Sequence, residues 1–101
     1  MAITTTREGG QLRTTLAGEL GHHEAIDIMA RFAELVDREL PASVVLDLSG
    51  LSFMDSSGIA VIVQASRRCR DIGAAFAVEG TPRQAMRILK AAGIDRAVTF
   101  R

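Results

Sequence analysis

Val44-Val45-Leu46-Asp47-Leu48 is a short run in which every residue but one is apolar. A segment like that leaves no face for water, and it reads as a buried strand of a parallel sheet. Parallel strands need long crossovers, usually helical, to bring the chain back to the same end of the sheet. Both flanks carry helical patterning. From about His23 to Leu40, Ile26, Met29, Ala33, Val36 and Leu40 recur at spacings of three and four as one apolar stripe. Glu24, Asp27, Arg31, Glu34 and Arg38 fall mostly elsewhere. Pro41 stops the helix, because the residue before a proline is pushed out of helical geometry. On the other flank a second helix is expected from Ser57 to about Ile72, with Ile59, Ile62, Val63, Ala65, Ser66 and Cys69 keeping most of it apolar or small. Arg67, Arg68, Arg70 and Asp71 gather at its C-terminal end, where cations complement the helix dipole, and Gly73 supplies the left-handed stop.

The remaining segments follow from their punctuation. Ile3 to Arg7 and Leu12 to Ala17 are Thr-rich strands, separated by Glu8-Gly9-Gly10-Gln11, whose paired glycines supply the positive φ angles of a tight hairpin. Ala74 to Val78 reads as another strand. Thr81 is the expected N-cap of a third helix, with Pro82 at its first position and Gln84 three residues after the cap. That helix runs through Met86, Ile88 and Leu89 to Gly93, and Ala97 to Phe100 forms a last strand. The order is β-β-α-β-α-β-α-β, an α/β fold with a mixed, mostly parallel sheet. A chain of 101 residues holds one such domain, 1–101. Sites in folds of this kind lie where strand C-termini hand over to helices, here Gly18 to His23 and Leu51 to Gly58.

Composition excludes several functions. Twelve basic and twelve acidic residues cancel, so no clustered basic surface calls for nucleic acid. The longest uncharged stretch, Ser56 to Ser66, has 11 residues where a membrane span needs about 20. The start, Met1 to Thr6, lacks the basic and apolar pattern of a signal peptide, and the lone Cys69 cannot pair internally. These features predict a cytoplasmic protein. No G-x-S-x-G elbow and no Gly-rich phosphate loop is present, so neither a hydrolase nor a nucleotide cofactor is indicated. The adjacent His22 and His23 point different ways and make a poor metal pair, so they read as a solvated helix start. Cys69 reads as buried and inert. In isolation, Asp55-Ser56-Ser57-Gly58 is a helix N-cap. The apolar stretch Leu51 to Met54 beside it is either a docking surface or core.

From Asp47 to Gly58 the chain reads D-x-S-x-L-x-F-x-D-S-S-G. This resembles the signature of the STAS domain, in particular of the anti-sigma-factor antagonists. Gly18-Glu19-Leu20-Gly21-His22-His23 is similar to the family's second recognised stretch, with Gly21 where an aspartate is often found. Thr81-Pro82 and Ala92-Gly93-Ile94 also sit where the family places them, so the resemblance covers the whole chain as one STAS domain. It implies a non-enzymatic module without cofactor or metal. Its partner would be an anti-sigma factor that is a serine kinase of the histidine-kinase-like ATPase type, and its binding would release a sigma factor. That kinase would phosphorylate the serine after the motif's aspartate, and a PP2C-type phosphatase would reverse the step. By position, the acceptor is Ser56. Met54, Asp55, Ser57 and Gly58 would frame it, and Gly18, Glu19, Leu20, Gly21, His22 and His23 would add to the partner surface. The alternative within the family is a constitutive subunit that regulates an ABC-type lipid transporter ATPase, or a component of a stress-sensing assembly.

Overall fold

The structure is a computed structural model that describes all of residues 1–101. Its elements are β1 (Ala2–Glu8), β2 (Gln11–Leu20), α1 (His22–Glu39), β3 (Ser43–Met54), α2 (Ser57–Asp71), β4 (Ala75–Glu79), α3 (Arg83–Ala91), a 3-10 turn (Ile94–Arg96) and β5 (Thr99–Phe100). The five strands lie side by side in chain order. β1 pairs antiparallel with β2, and every later neighbour is parallel. The mixed, mostly parallel sheet and its helices agree with the order expected from the sequence.

Each parallel step moves one place in the same direction, and right-handed crossovers then set α1, α2 and α3 on one face. The strand residues that point to that face are in register: Leu12 opposite Val44, Thr14 opposite Leu46, Leu46 opposite Val78. They pack with Ile28, Ile62, Ala85 and Leu89 in a larger cluster, and with Phe32, Val36, Ala65 and Cys69 in a smaller one. Burial pushes the Cys69 thiol up to about 11, so it stays a protonated packing group.

The opposite face has no helix. There Arg13 donates to Asp47 Oδ2 at 2.9 Å and to Glu79 Oε1 at 2.8 Å, crossing the sheet, and Arg101 reaches Glu79 Oε2 at 3.3 Å. Val45, the register partner of Arg13, is buried on this uncovered face. From β2 the Arg13 guanidinium reaches over this face to the carboxylates of the next two strands, β3 and β4, with its stem lying along the way.

Several boundaries differ from the sequence reading, each for a local reason. The inward stripe of α1 is Ala25, Ile28, Phe32 and Val36, with Met29 and Ala33 half-buried at its side, while Ile26 is 57% exposed. Phe32 fixes the rotation, because a ring that large cannot be left outside while Ile26 is buried. Leu40 lies outside the helix as its left-handed cap, φ 45°, donating its N–H to Val36 O at 2.9 Å. In the hairpin only Gly9 takes a positive φ, the pattern of a type II′ turn. The last strand is two residues and not four, because the N–H groups of Ala97 and Val98 still turn back to Ile94 O.

Thr14 is fully buried on the helix-covered face, and its hydroxyl has no partner. Thr14→Val is expected to raise stability by about 1 kcal/mol, read as a higher urea midpoint at unchanged slope. Asp47 supplies a pH dependence. Its burial pushes the carboxyl up, but the Ser49 amide and hydroxyl, with Arg13, outweigh that and hold it below the ordinary range. Stabilisation from a depressed carboxyl is present above its unfolded pKa and lost as pH falls through the folded one. The stability gap between the wild type and Asp47→Asn should therefore be widest near neutrality and close below about pH 4, as measured by urea unfolding across pH.

Candidate functional site

β3 is twelve residues long, whereas β4 has five. β4 pairs with β3 only from Ser43 to Asp47, so the second half of β3 runs on with β2 alone, to the pair Leu20 and Met54. On the side that β4 has left, side chains take over the hydrogen bonds. Asp47 Oδ1 accepts the Ser49 N–H at 2.9 Å. At the far end, Gln84 of α3 accepts from Met54 N at 3.0 Å and donates to Met54 O at 2.7 Å, the two bonds a neighbouring strand would make. This overturns the reading of Gln84 as a capping partner of Thr81. Pro82 is the N-cap of α3, and the Thr81 hydroxyl is buried without a partner.

Only two residues, Asp55 and Ser56, separate β3 from α2. Asp55 ties this loop down in three directions. Its N–H donates to Leu20 O at the end of β2, at 3.2 Å. Its Oδ1 accepts the Ser57 N–H at 2.8 Å, and its carbonyl accepts the Gly58 N–H at 3.0 Å. The cap of α2 is thus the aspartate side chain, placed one residue before the formal N-cap position. Ser56 already has helical angles, φ −62° and ψ −16°, and its hydroxyl makes no capping bond. It is exposed, with Asp55 and Ser57 half-buried beside it. The arrangement is a free hydroxyl on a rigid tight turn at the C-terminal edge of the sheet.

The second expected stretch reaches the same place. Gly18, Glu19 and Leu20 prolong β2, and α1 begins at His22. Gly21 N donates to Glu24 Oε1 at 2.9 Å, half of a capping box whose other half needs a side chain glycine lacks. A Cβ on Gly21 would stand 3.5 Å from Asp55 Oδ2, so the start of α1 and the Ser56 loop are direct neighbours. His22 and His23 are exposed on the first turn of α1, with rings edge to face at 5.8 Å.

Three of the expected partner residues face inward. Leu20 and Met54 are 0% exposed and act by packing, and Gly58 is buried beneath the turn, so none of the three presents a surface there. Simple alternation would not bury both Leu51 and Met54: β3 continues through Leu51-Ser52-Phe53-Met54 instead of ending at Leu48, and its two register shifts against β2, opposite Thr15–Ala17 and Gly18–Glu19, change which side chains face the core. Leu51 and Met54 are core, and Phe53 is the one apolar group of this stretch that reaches water, at 47% exposure. The exposed or half-buried members of these stretches are therefore Gly18, Glu19, Gly21, His22, His23, Phe53, Asp55 and Ser57, with Gly21 placed directly beside Asp55. Gln84 escaped the sequence reading in this role because its spacing after Thr81 marks a capping box instead. Only the unequal lengths of β3 and β4 reveal that a partner is needed.

The STAS domain family model matches residues 2–101. The chain is a STAS domain of the anti-sigma-factor antagonist family. An anti-sigma F factor antagonist of Paenibacillus polymyxa is 33% identical over 93% of this chain and 80% of its own length. In fold, the chain is similar to the anti-sigma factor antagonist SpoIIAA in its unphosphorylated form, with a TM-score of 0.83 at 19% identity, covering 99% of this chain and 88% of that one. The phosphorylated form of the Bacillus SpoIIAA matches with a TM-score of 0.75 at 19% identity, over 99% of this chain and 91% of that one. No helix of this STAS domain is long and apolar enough to cross a membrane.

Gly58 of the signature has a steric role that can be tested. A Cβ there would overlap the Sδ and Cγ of the fully buried Met54. Gly58→Ala is expected to cost about 1–3 kcal/mol of stability, read from the urea midpoint, and to cost less in a Met54→Val background, where the obstructing chain is shorter.

Proposed function

We propose that this STAS domain is a cytoplasmic, non-enzymatic switch. In its unphosphorylated form it binds an anti-sigma factor that is a serine kinase of the histidine-kinase-like ATPase type, and so frees a sigma factor. The same kinase phosphorylates Ser56 and ends the interaction, and a PP2C-type phosphatase restores it. The observation that carries this reading is the free, exposed Ser56 hydroxyl on a loop whose neighbours are all committed to hydrogen bonds. Asp55 and the surface formed by Gly18, Glu19, Gly21, His22, His23, Phe53 and Ser57 surround it.

Phosphorylation adds about −1.5 to −2 charge to that surface. Because the Ser56 hydroxyl is exposed and makes no capping bond, a phosphate there can stay hydrated outside the turn and the fold has no reason to break. A partner carboxylate about 4 Å away costs on the order of 4 kcal/mol at an effective dielectric of 20, enough to empty a micromolar complex. The charge thus acts on the interface. A domain that served as a constitutive transporter subunit would have no use for the hydroxyl.

Affinity capture from lysate of the source organism, with wild-type, Ser56→Ala and Ser56→Asp baits, tests the proposal. A histidine-kinase-like ATPase should be retained by the first two and lost with Ser56→Asp. Equal recovery of a transporter ATPase on all three baits would replace the switch with a constitutive role.

A further inference from the structure

The last residue of β3 is also the last residue before the Asp55-Ser56 loop, and its backbone has no strand on the outer side. Gln84 fills that place with both ends of its amide, at 3.0 Å and 2.7 Å. On the inner side the loop is held by β2, through Asp55 N to Leu20 O at 3.2 Å. Ser56 is therefore suspended between two anchors, one from the sheet and one from α3. The sheet anchor is main chain and present whatever the sequence. The α3 anchor depends on one side chain.

A primary amide is the side-chain group that imitates a strand edge, because it presents one donor and one acceptor side by side. A carboxylate of the same length keeps the acceptor for Met54 N but sets a second oxygen against Met54 O. Methionine keeps the length and bulk and offers neither. Asparagine has the right group one carbon too short.

We infer that Gln84 is the positioning residue of the phosphoacceptor loop: its amide completes β3 at Met54 and so fixes where the Ser56 hydroxyl stands. This rests on the reading of Ser56 as the acceptor. Gln84 touches neither the kinase nor the hydroxyl in this account and acts only through Met54 and Asp55. α3 begins at Arg83, so a partner that displaces the start of that helix also releases the loop.

The test compares wild type, Gln84→Met and Gln84→Glu as full-length protein, by amide hydrogen exchange and by phosphorylation with the histidine-kinase-like ATPase retained on the Ser56→Ala bait. In Gln84→Met the Met54 and Ser57 amides should exchange about tenfold faster while Val45, in the sheet core, keeps its protection. The phosphorylation rate at saturating kinase should fall about tenfold, with the half-saturating concentration unchanged. Gln84→Glu, which retains one of the two bonds, should lie between. Unchanged exchange at Met54 and Ser57 in Gln84→Met overturns the inference. Equal acceleration at Val45 overturns it too, since Gln84 would then support the fold at large. A loosened loop that is phosphorylated at the wild-type rate also overturns it. If wild type itself is not phosphorylated at Ser56, the switch reading fails, and exchange at Met54 and Ser57 still decides whether Gln84 holds the loop.

Discussion

Strand order is the constraint from which the rest of this molecule follows. With β2, β3, β4 and β5 adjacent in chain order and parallel, every crossover has the same hand and lands on the same face. One face therefore receives all three helices and the apolar side chains. The other has to be finished with polar groups, and the run from Arg13 across Asp47 and Glu79 to Arg101 does that. All three helices also start from the same edge of the sheet. The turns at Gly21 and Asp55-Ser56 are neighbours there, while the Gly80 turn lies lower, beside Asp47 and Ser49, and α3 carries Gln84 up to the end of β3. Asp55 bonded to Leu20 and Met54 bonded to Gln84 tie the loop to these neighbours.

The unequal strands give the twelve-residue signature its spacing. From Asp47 to Met54 the chain is crossing the sheet, and the residue types record what each position meets on the way. Asp47 replaces the missing β4 by taking the Ser49 amide, and Leu51 and Met54 point into the core. Gly58 has no Cβ because Met54 occupies that space. What reaches water at the C-terminal edge is Phe53 and the loop Asp55-Ser56-Ser57. A pattern that matches a family over its whole length is thus mostly a record of how the loop is held, with a few positions left for what the loop does.

The legible parts of the sequence were those where punctuation is local. The Gly9-Gly10 hairpin, the stop at Pro41 and the left-handed Gly73 and Gly93 each depend on one residue's own backbone preferences, and the element order followed from them. The family signature placed the loop. Less legible was anything set by a distant partner. The rotation of α1 depends on which of Ile26 and Phe32 finds a cavity, and helical spacing permits both. The length of β3 depends on β2 extending to Leu20, since Ser49-Gly50-Leu51-Ser52 carries turn-like residues that stay in the strand only through pairing, with a register shift on either side of the Gly50–Leu51 step. Gln84 satisfied the rule for a capping box and was claimed instead by a strand end thirty residues earlier.

The amides at the start of α2 bear on how a phosphate at Ser56 would act. A helix N-terminus usually offers several unpaired N–H groups to an anion. Here the N–H of Ser57 is taken by the Asp55 carboxylate, that of Gly58 by Asp55 O and that of Ile59 by Ser56 O at 3.1 Å. A phosphate on Ser56 would find the nearest donors engaged and a carboxylate alongside. It could gain them only by displacing Asp55, which would undo the cap that holds the loop. The less costly state leaves the phosphate turned outward and hydrated, with little of its charge neutralised by its own chain. A loop so fully bonded before modification is suited to pass nearly the whole of an added charge to whatever docks on it.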